Sequence, residues 1–563
     1  MQRILLILAI VFFAFIDNST LSAQGKLSGY LQTRSSFFVR DSSIKAFDTR
    51  QYDDQFYSTE TWVDLTYSTR NGFQFRGRYD MYLNSNLFDP LGSESAQGLG
   101  RWSVQKKIND LDITAGYIYD QIGTGAAFQA YEARLLGIDN ALVGLRLKYD
   151  LTESVSIKGF VGRQKNRLED PYGSVVKGIN LEAFHYFDST ALKGLSLAPG
   201  IGLVNRTIDD ETMQIIASNV ASNVPSNFFT PSYNNYAVTA YNTLSYKSFS
   251  LYTEGVYKSE EAVDLPTLDA IDENGRKMLL NRDGSFLYAS LGYARRGLAI
   301  TAQAKRAENF QLRTSPLEKL TRGLLNFVPP MARQNTYRLA TRYNAATQEL
   351  GELGYQADIS YRFNKRLTMS ANGSYIDNLE EEALYREAYF DATIKDKNRK
   401  WKLIAGLQLQ KYNQVIYEEK RDISYTYVET VMPFVDFLYK FNKKTALRTE
   451  LQYMSTDEDF GSWAFGLMEL TYTSKWAITI SNMVTMTPET YNKKVWSAQE
   501  ITDLKIDISK PLHFFTAEVV YNYKANRFSF GRVRQVEGIV CTGGICRYEP
   551  AFNGYRLTVR SRF

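Results

Sequence analysis

The sequence predicts an all-β fold: a transmembrane antiparallel up-and-down β-barrel of about 24 strands (range 20–26), with short periplasmic turns and long extracellular loops. Three observations predict it. Apolar and polar side chains alternate with a period of two in segment after segment of the 563 residues; short turns alternate with long polar connections; and the last strand alternates down to a terminal Phe563. The composition agrees. Length alone would suggest about three to five soluble domains, yet no shift of composition divides the chain. A mean hydropathy of −0.32 argues against a bundle of transmembrane helices. Hydrophobic residues at 44% with a net charge of only +5 argue against disorder. With 66 basic against 61 acidic residues there is no concentrated basic face for nucleic acid, and two His leave little room for imidazole-based metal or catalytic chemistry.

The first element is an address. Met1-Gln2-Arg3 precedes an apolar run from Ile4 to Ile16, and Leu21-Ser22-Ala23 is an acceptable cleavage site, so residues 1–23 read as a secretory signal peptide. The run of 13 residues is shorter than the roughly 20 needed to span a bilayer. The only cysteines, Cys541 and Cys546, lie far from the cleavage point, so no lipid anchor is expected. Residues 24–563 then form a single barrel. No later run of 18 apolar residues occurs, so the mature chain can enter a membrane only as a closed sheet.

The strands follow in order. Val63, Leu65 and Tyr67 share one face, and after Arg70-Asn71-Gly72, a hairpin turn signal, Phe73, Phe75, Gly77, Tyr79, Met81 and Leu83 share another. The same unit returns at Leu111 to Tyr119, Leu298 to Ala304, Tyr355 to Phe363, Leu367 to Gly373, Trp401 to Leu409 and Phe515 to Tyr523. Long connections are expected at 84–100, 122–139, 206–233, 259–284 and 307–351. Eleven hairpins plus a first strand near 26–38 and a last at 554–563 give 24 strands, an even number that leaves both termini in the periplasm. A soluble sandwich would have turns of more even length. In the last strand Tyr555, Leu557, Val559 and Phe563 lie on the apolar face; this looks like the C-terminal signal that barrel-insertion machinery reads in Gram-negative outer-membrane proteins.

Three segments carry a resemblance. Gly538-Ile539-Val540-Cys541-Thr542-Gly543-Gly544-Ile545-Cys546-Arg547, Tyr119-Asp120-Gln121-Ile122-Gly123-Thr124-Gly125 and Leu136-Gly137-Ile138-Asp139-Asn140 are similar to a Bacteroidetes-type outer-membrane β-barrel family of unassigned function. The likeness extends over most of the mature chain. It implies fold and an integral outer-membrane location, and transfers no site residues.

The polar faces should line the lumen. They carry Arg76, Arg78, Asp80, Arg146, Lys148, Glu254, Asp358, Arg362, Arg448, Glu450, Arg556, Arg560 and Arg562. Both signs are mixed, which suits a wet lumen or cross-strand pairs better than a single-sign filter. The last strand holds the only local excess, which Asp80 or Glu60 could neutralise if closure brings those strands near. A barrel of about 22 strands encloses a lumen that natural proteins keep plugged. Alternation begins within a few residues of the cleavage site, so no plug domain is expected ahead of the barrel; inward loops, a partner chain or an open hole remain.

The stretch 307–351 is the candidate lid, because Leu324, Leu325, Phe327, Val328, Pro329, Pro330 and Met331 are unusually apolar for a loop. It could pack inward, dock a partner or pack on itself at the surface. The Gly-rich stretch 121–127 reads as a turn-rich loop, with an inward fold as its alternative. Cys541 and Cys546, close together in an exported chain, suit a disulfide and lack the further ligands of a zinc site. His185 and His513 fall at opposite ends of the barrel and cannot share a site, so no catalytic, cofactor or metal residues are expected. Expected contacts are outer-membrane lipid and the insertion machinery. Two function classes follow: a porin-like channel or gated transporter for polar solutes, and a scaffold or accessory subunit that binds other envelope proteins in an assembly or secretion complex.

Overall fold

The computed structural model describes residues 25–188, 192–223, 228–264, 278–318, 322–418, 425–486, 510–542 and 545–563. The leader expected at 1–23, and parts of the connections 206–233, 259–284 and 307–351, lie outside the described residues. One antiparallel sheet contains 25 strand segments, of which Val175–Ala183 and His185–Tyr186 are one strand interrupted at Phe184, giving a barrel of 24 strands. The sheet has no edge, because the first strand, Gly25–Phe38, pairs with the last, Phe552–Arg562, from Tyr30↔Arg562 to Phe38↔Gly554. Closure is what allows such a sheet to satisfy its backbone in an apolar surround.

The alternation sets which face looks where. In the strand Phe73–Ser85, Phe73, Phe75 and Tyr79 are exposed on the outside, while Arg78, Asp80 and Tyr82 are buried within. Short turns such as the one between Tyr57–Thr69 and Phe73–Ser85 gather at one rim, where Gly72 N donates to Thr69 O at 3.2 Å. Longer connections gather at the other. Two of them are shorter than expected: strands Glu94–Ile108, Phe249–Val263 and Leu280–Arg295 run past the apolar band and absorb polar residues that read as loop. The connection after Leu195–Thr207 carries a helix, Asp210–Ala221, whose Asp209 side chain caps it by accepting from Thr212 N.

At the seam Gly29 N donates to Phe563 O at 2.7 Å and Phe563 N returns the bond to Gly29 O at 3.1 Å. A Cβ on Gly29 would lie 2.2 Å from the Phe563 ring. The terminal aromatic therefore seats on a residue without a side chain.

Candidate functional site

The functional question is what occupies the lumen. The connection 119–141, between strands Leu111–Ile118 and Leu142–Thr152, turns inward. Ile122, Ala126, Ala127, Phe128 and Ala130 are buried against wall residues Phe160, Val176, Val204, Ala237, Val256 and Phe286. Gly123 has φ +57°, and a Cβ there would meet the Glu254 carboxylate at 2.2 Å. Only glycine lets the backbone come this close, and Glu254 accepts from Thr124 N at 2.9 Å and from the Tyr252 hydroxyl at 2.9 Å. The inward alternative for the Gly-rich stretch is the conformation present.

The same connection is tied to the wall by charge. Arg78 donates to Asp80 at 2.6 Å, to Asp139 at 2.7 Å and to Glu132. Arg101 reaches Asp64 at 2.7 Å and Glu132 at 3.1 Å; Arg134 reaches the same two carboxylates, each at 2.7 Å. Lys165 lies 3.9 Å from Asp80 and also pairs with Asp139. Four basic groups thus meet four acidic ones, with Glu132, Arg134 and Asp139 from the loop and the rest from the wall or, for Lys165, its outer edge. Burial alone would raise the Asp139 carboxyl, but Lys165 and Arg78 outweigh it and hold it at about 2. Asp120 is likewise lowered, burial being overcome by Lys158 and Arg146.

Residues 309–318 and 322–350, between strands Leu298–Glu308 and Gly351–Arg362, cross the interior. Leu324, Leu325, Val328 and Met331 are buried, with Phe327, Pro329 and Pro330 half-buried beside them. Further on, Tyr337 packs on Phe434 with ring centroids 4.2 Å apart, and the Tyr343 hydroxyl donates to Asp459 at 2.8 Å. Wall side chains hold this segment largely by its backbone: Lys258 donates to Gln311 O at 2.9 Å, Arg206 to Arg313 O at 2.9 Å and Lys305 to Pro329 O at 2.6 Å. The two inward segments meet at the centre. Gln129 N donates to Leu325 O at 2.9 Å, Phe327 N to Gly125 O at 3.0 Å and Asn140 Nδ2 to Leu324 O at 3.0 Å.

Other expected lumen charges are spread around the wall. Arg448 bridges Asp436 and Glu450; Arg146 pairs with Asp120; Asp358 with Arg333; Arg76 is exposed beside Gln74; Lys148 is 3.6 Å from Asp150. Arg362 is exposed at the short-turn rim. Arg556, Arg560 and Arg562 line the seam. Glu60 does come close to them, paired with Arg34 at 2.9 Å, whereas Asp80 is engaged in the ionic cluster. Tyr555, Leu557 and Val559 face outward. Cys541 and Cys546 are cross-strand partners in the hairpin Gly538–Thr542 and Ile545–Glu549; the side chains of 539–546 lie outside the described residues. His513, at the outer end of its strand, lies 2.9 Å from Asn482 Nδ2; His185 sits near the short-turn rim beside Phe187.

Space remains on both sides of this filling. A cavity of about 640 Å³ lies between the seam and the outer hairpin, lined by Arg34, Arg547 and Arg556; one of about 900 Å³ adjoins Arg338, Arg342 and Asp459. A third, of about 870 Å³, opens near the short turns beside Lys148, Glu182 and Tyr241. Sequence reasoning missed Glu132, Arg134 and Asp139. Their signal was present: with Asp120 they are the four charges of a loop otherwise rich in Gly and Ala.

A family model described as "Family of unknown function (DUF6029)" matches residues 1–563. No curated protein matches the sequence. Among solved structures, the siderophore receptor PirA from Pseudomonas aeruginosa is similar at 9% identity, with 96% of this chain and 80% of that chain covered and a TM-score of 0.39. A mutant of the ferric enterobactin receptor PfeA from Pseudomonas aeruginosa gives 9% identity, 96% and 80% coverage and a TM-score of 0.43. The outer membrane protein opdK from Pseudomonas aeruginosa gives 11% identity, 73% and 97% coverage and a TM-score of 0.33. Nothing about activity follows from likenesses of this degree.

Proposed function

This chain belongs to the DUF6029 family of unknown function, and from that premise we propose that it is an integral outer-membrane β-barrel acting as a gated channel or transporter for polar solutes. Its short turns and both ends of the barrel then face the periplasm. The supporting observation is the lumen itself. It is filled by two segments of the same chain, each tethered to the wall at both ends and held by ion pairs and backbone hydrogen bonds, with polar cavities above and below. Both segments also bury apolar side chains against the wall, so the closed arrangement dominates and openings are expected to be rare.

The test uses the geometry of the longer segment. Glu308 and Gly351 are directly paired, so residues 311–348 can be replaced by a short Gly-Ser turn without opening the wall. Native protein in planar bilayers should show rare, discrete openings, and the shortened barrel a steady conductance many times larger. If both are silent, the transport reading fails. The other reading, a scaffold subunit of an envelope assembly, rests on the large loops and on a lumen that needs closing, and the described inward segments supply that closure. A silent barrel that repeatedly purifies with a stoichiometric envelope protein would favour the scaffold.

A further inference from the structure

The closing seam concentrates positive charge that the described carboxylates neutralise only in part. The register sets Arg34 opposite Thr558 and Ser36 opposite Arg556, so Arg34 and Arg556 are diagonal neighbours on one inward face. Toward the short-turn rim, Arg560 lies opposite both Gln32 and Arg527, and Arg562 lies 5.7 Å from the Tyr30 ring centroid. Toward the outside, Arg547 enters from the last hairpin. Arg34 is paired with Glu60 at 2.9 Å and Arg547 with Glu549 at 2.7 Å. Arg527, Arg556, Arg560 and Arg562 make no ion pair with any described carboxylate, and Glu518 is the one further acidic group on the inward faces of the last three strands.

The cluster around Arg78 is by contrast balanced, four basic groups against four acidic. Arg34, Arg547 and Arg556 line the same cavity of about 640 Å³, with Ser36, Ser58 and Tyr548. Four carboxylates share that lining with Arg34, Lys45, Arg547 and Arg556: Glu60 pairs with Arg34, Glu549 with Arg547, Glu537 lies 3.6 Å from Lys45, and Asp48 is exposed on the outer loop, which leaves Arg556 as the basic group of the lining without an ion pair among the described residues. Arg556 Nε is buried with no hydrogen-bond partner. The guanidinium stacks on Phe552 at 4.7 Å from its ring centroid, but a buried N–H left this way is unfavourable unless an acceptor completes it, and the planar fork matches a carboxylate or phosphate.

We propose that this cavity binds a small solute bearing a carboxylate or phosphate group, held by Arg556 with Arg34 and Arg547, and that Arg560, Arg527 and Arg562 continue its path toward the short-turn rim. The inference rests on the transport reading, whose solute class it names. Calorimetry on the purified full-length barrel at low ionic strength, with citrate, inorganic phosphate and glucose as probes, tests it. Saturable binding of citrate or phosphate, none of glucose, and at least tenfold weakening in Arg556→Gln are expected, with partial retention in Arg556→Lys. The preferred probe identifies the oxyanion. Heat-modifiable mobility on gels checks that each variant folds; if Arg556→Gln does not, Arg34→Gln replaces it with the same expectation. Failure of both oxyanions to bind, or binding unchanged in the folded glutamine variant, overturns the proposal. Binding is read without conduction, so a silent barrel that binds oxyanions sinks the transport reading alone, and a conducting barrel that binds neither sinks the site alone.

Discussion

At the scale of single residues, closure depends on Gly29. Its backbone exchanges two hydrogen bonds with Phe563, and the ring covers the place where a Cβ would stand. Replacing it by Val forces the ring off the seam or the backbone apart, an overpacking change that destabilises by about 1–3 kcal/mol. Gly29→Val is expected to lower the urea midpoint of the folded barrel and to slow its assembly in vesicles, both read by heat-modifiable mobility. An unchanged midpoint would show that Phe563 does not need this seat. Half of this contact was legible in the sequence. A terminal Phe on an alternating strand announces itself, but the glycine it seats on lies 534 residues earlier by number (563 − 29), and only the closed register joins them.

At the scale of elements, the connection 119–141 is a latch whose strength is electrostatic. Glu132 serves Arg78, Arg101 and Arg134 together. Removing its charge leaves the buried Arg78 and the half-buried Arg101 and Arg134 each one partner short; breaking a fully buried pair costs about 3–5 kcal/mol, and the carboxylates these three keep make the cost here smaller. Glu132→Gln is therefore expected to free the loop and raise the open fraction in bilayer recordings; currents like those of the native barrel would rule out a latch at this position. Acid should act in the same direction. The Asp139 carboxyl sits at about 2, below its ordinary value of 3.8, so its contribution is fully present above pH 4 and lost as pH falls from about 4 to 2. That depression is worth on the order of 2 kcal/mol. Openings should accordingly become frequent only below about pH 4, and a barrel that opens equally at pH 7 and pH 3 would contradict the latch. The strands around this loop were legible because their period is two. The latch was not, because its members come from strands and a loop up to 101 residues apart (165 − 64), and neither composition nor periodicity records which of them meet.

At the scale of the whole molecule, the exterior sorts aromatic from aliphatic side chains by height, which suits a sequence with 39 Tyr. Phe73, Tyr149, Phe249, Phe363, Phe441, Tyr472 and Trp476 are exposed near the short turns, and Tyr57, Tyr236, Tyr257, Tyr355 and Tyr453 toward the other rim. Between the two girdles lie aliphatic side chains such as Leu145, Ile201, Leu287, Leu291 and Ile480. Aromatic rings suit the interfaces of a bilayer and aliphatic ones its hydrocarbon band, roughly 25 Å tall. This arrangement makes depth a measurable coordinate. Ile480 is 61% exposed and four residues along its strand from the girdle residue Trp476, a chain distance of about 13 Å that carries it well into the band. Phe249 is 51% exposed and begins its strand at the short-turn girdle. Arginine at a midplane lipid-facing position destabilises a barrel by about 2–4 kcal/mol, and near an interface by about 0–1 kcal/mol. Ile480→Arg should thus cost several times more folding free energy than Phe249→Arg when refolding into phospholipid vesicles is followed in urea. In detergent micelles, whose boundary adapts to the protein, the two variants should converge. Equal effects in vesicles would mean that the aliphatic band is not the part of the wall that meets lipid, and would remove the membrane from the account while leaving the closed sheet intact.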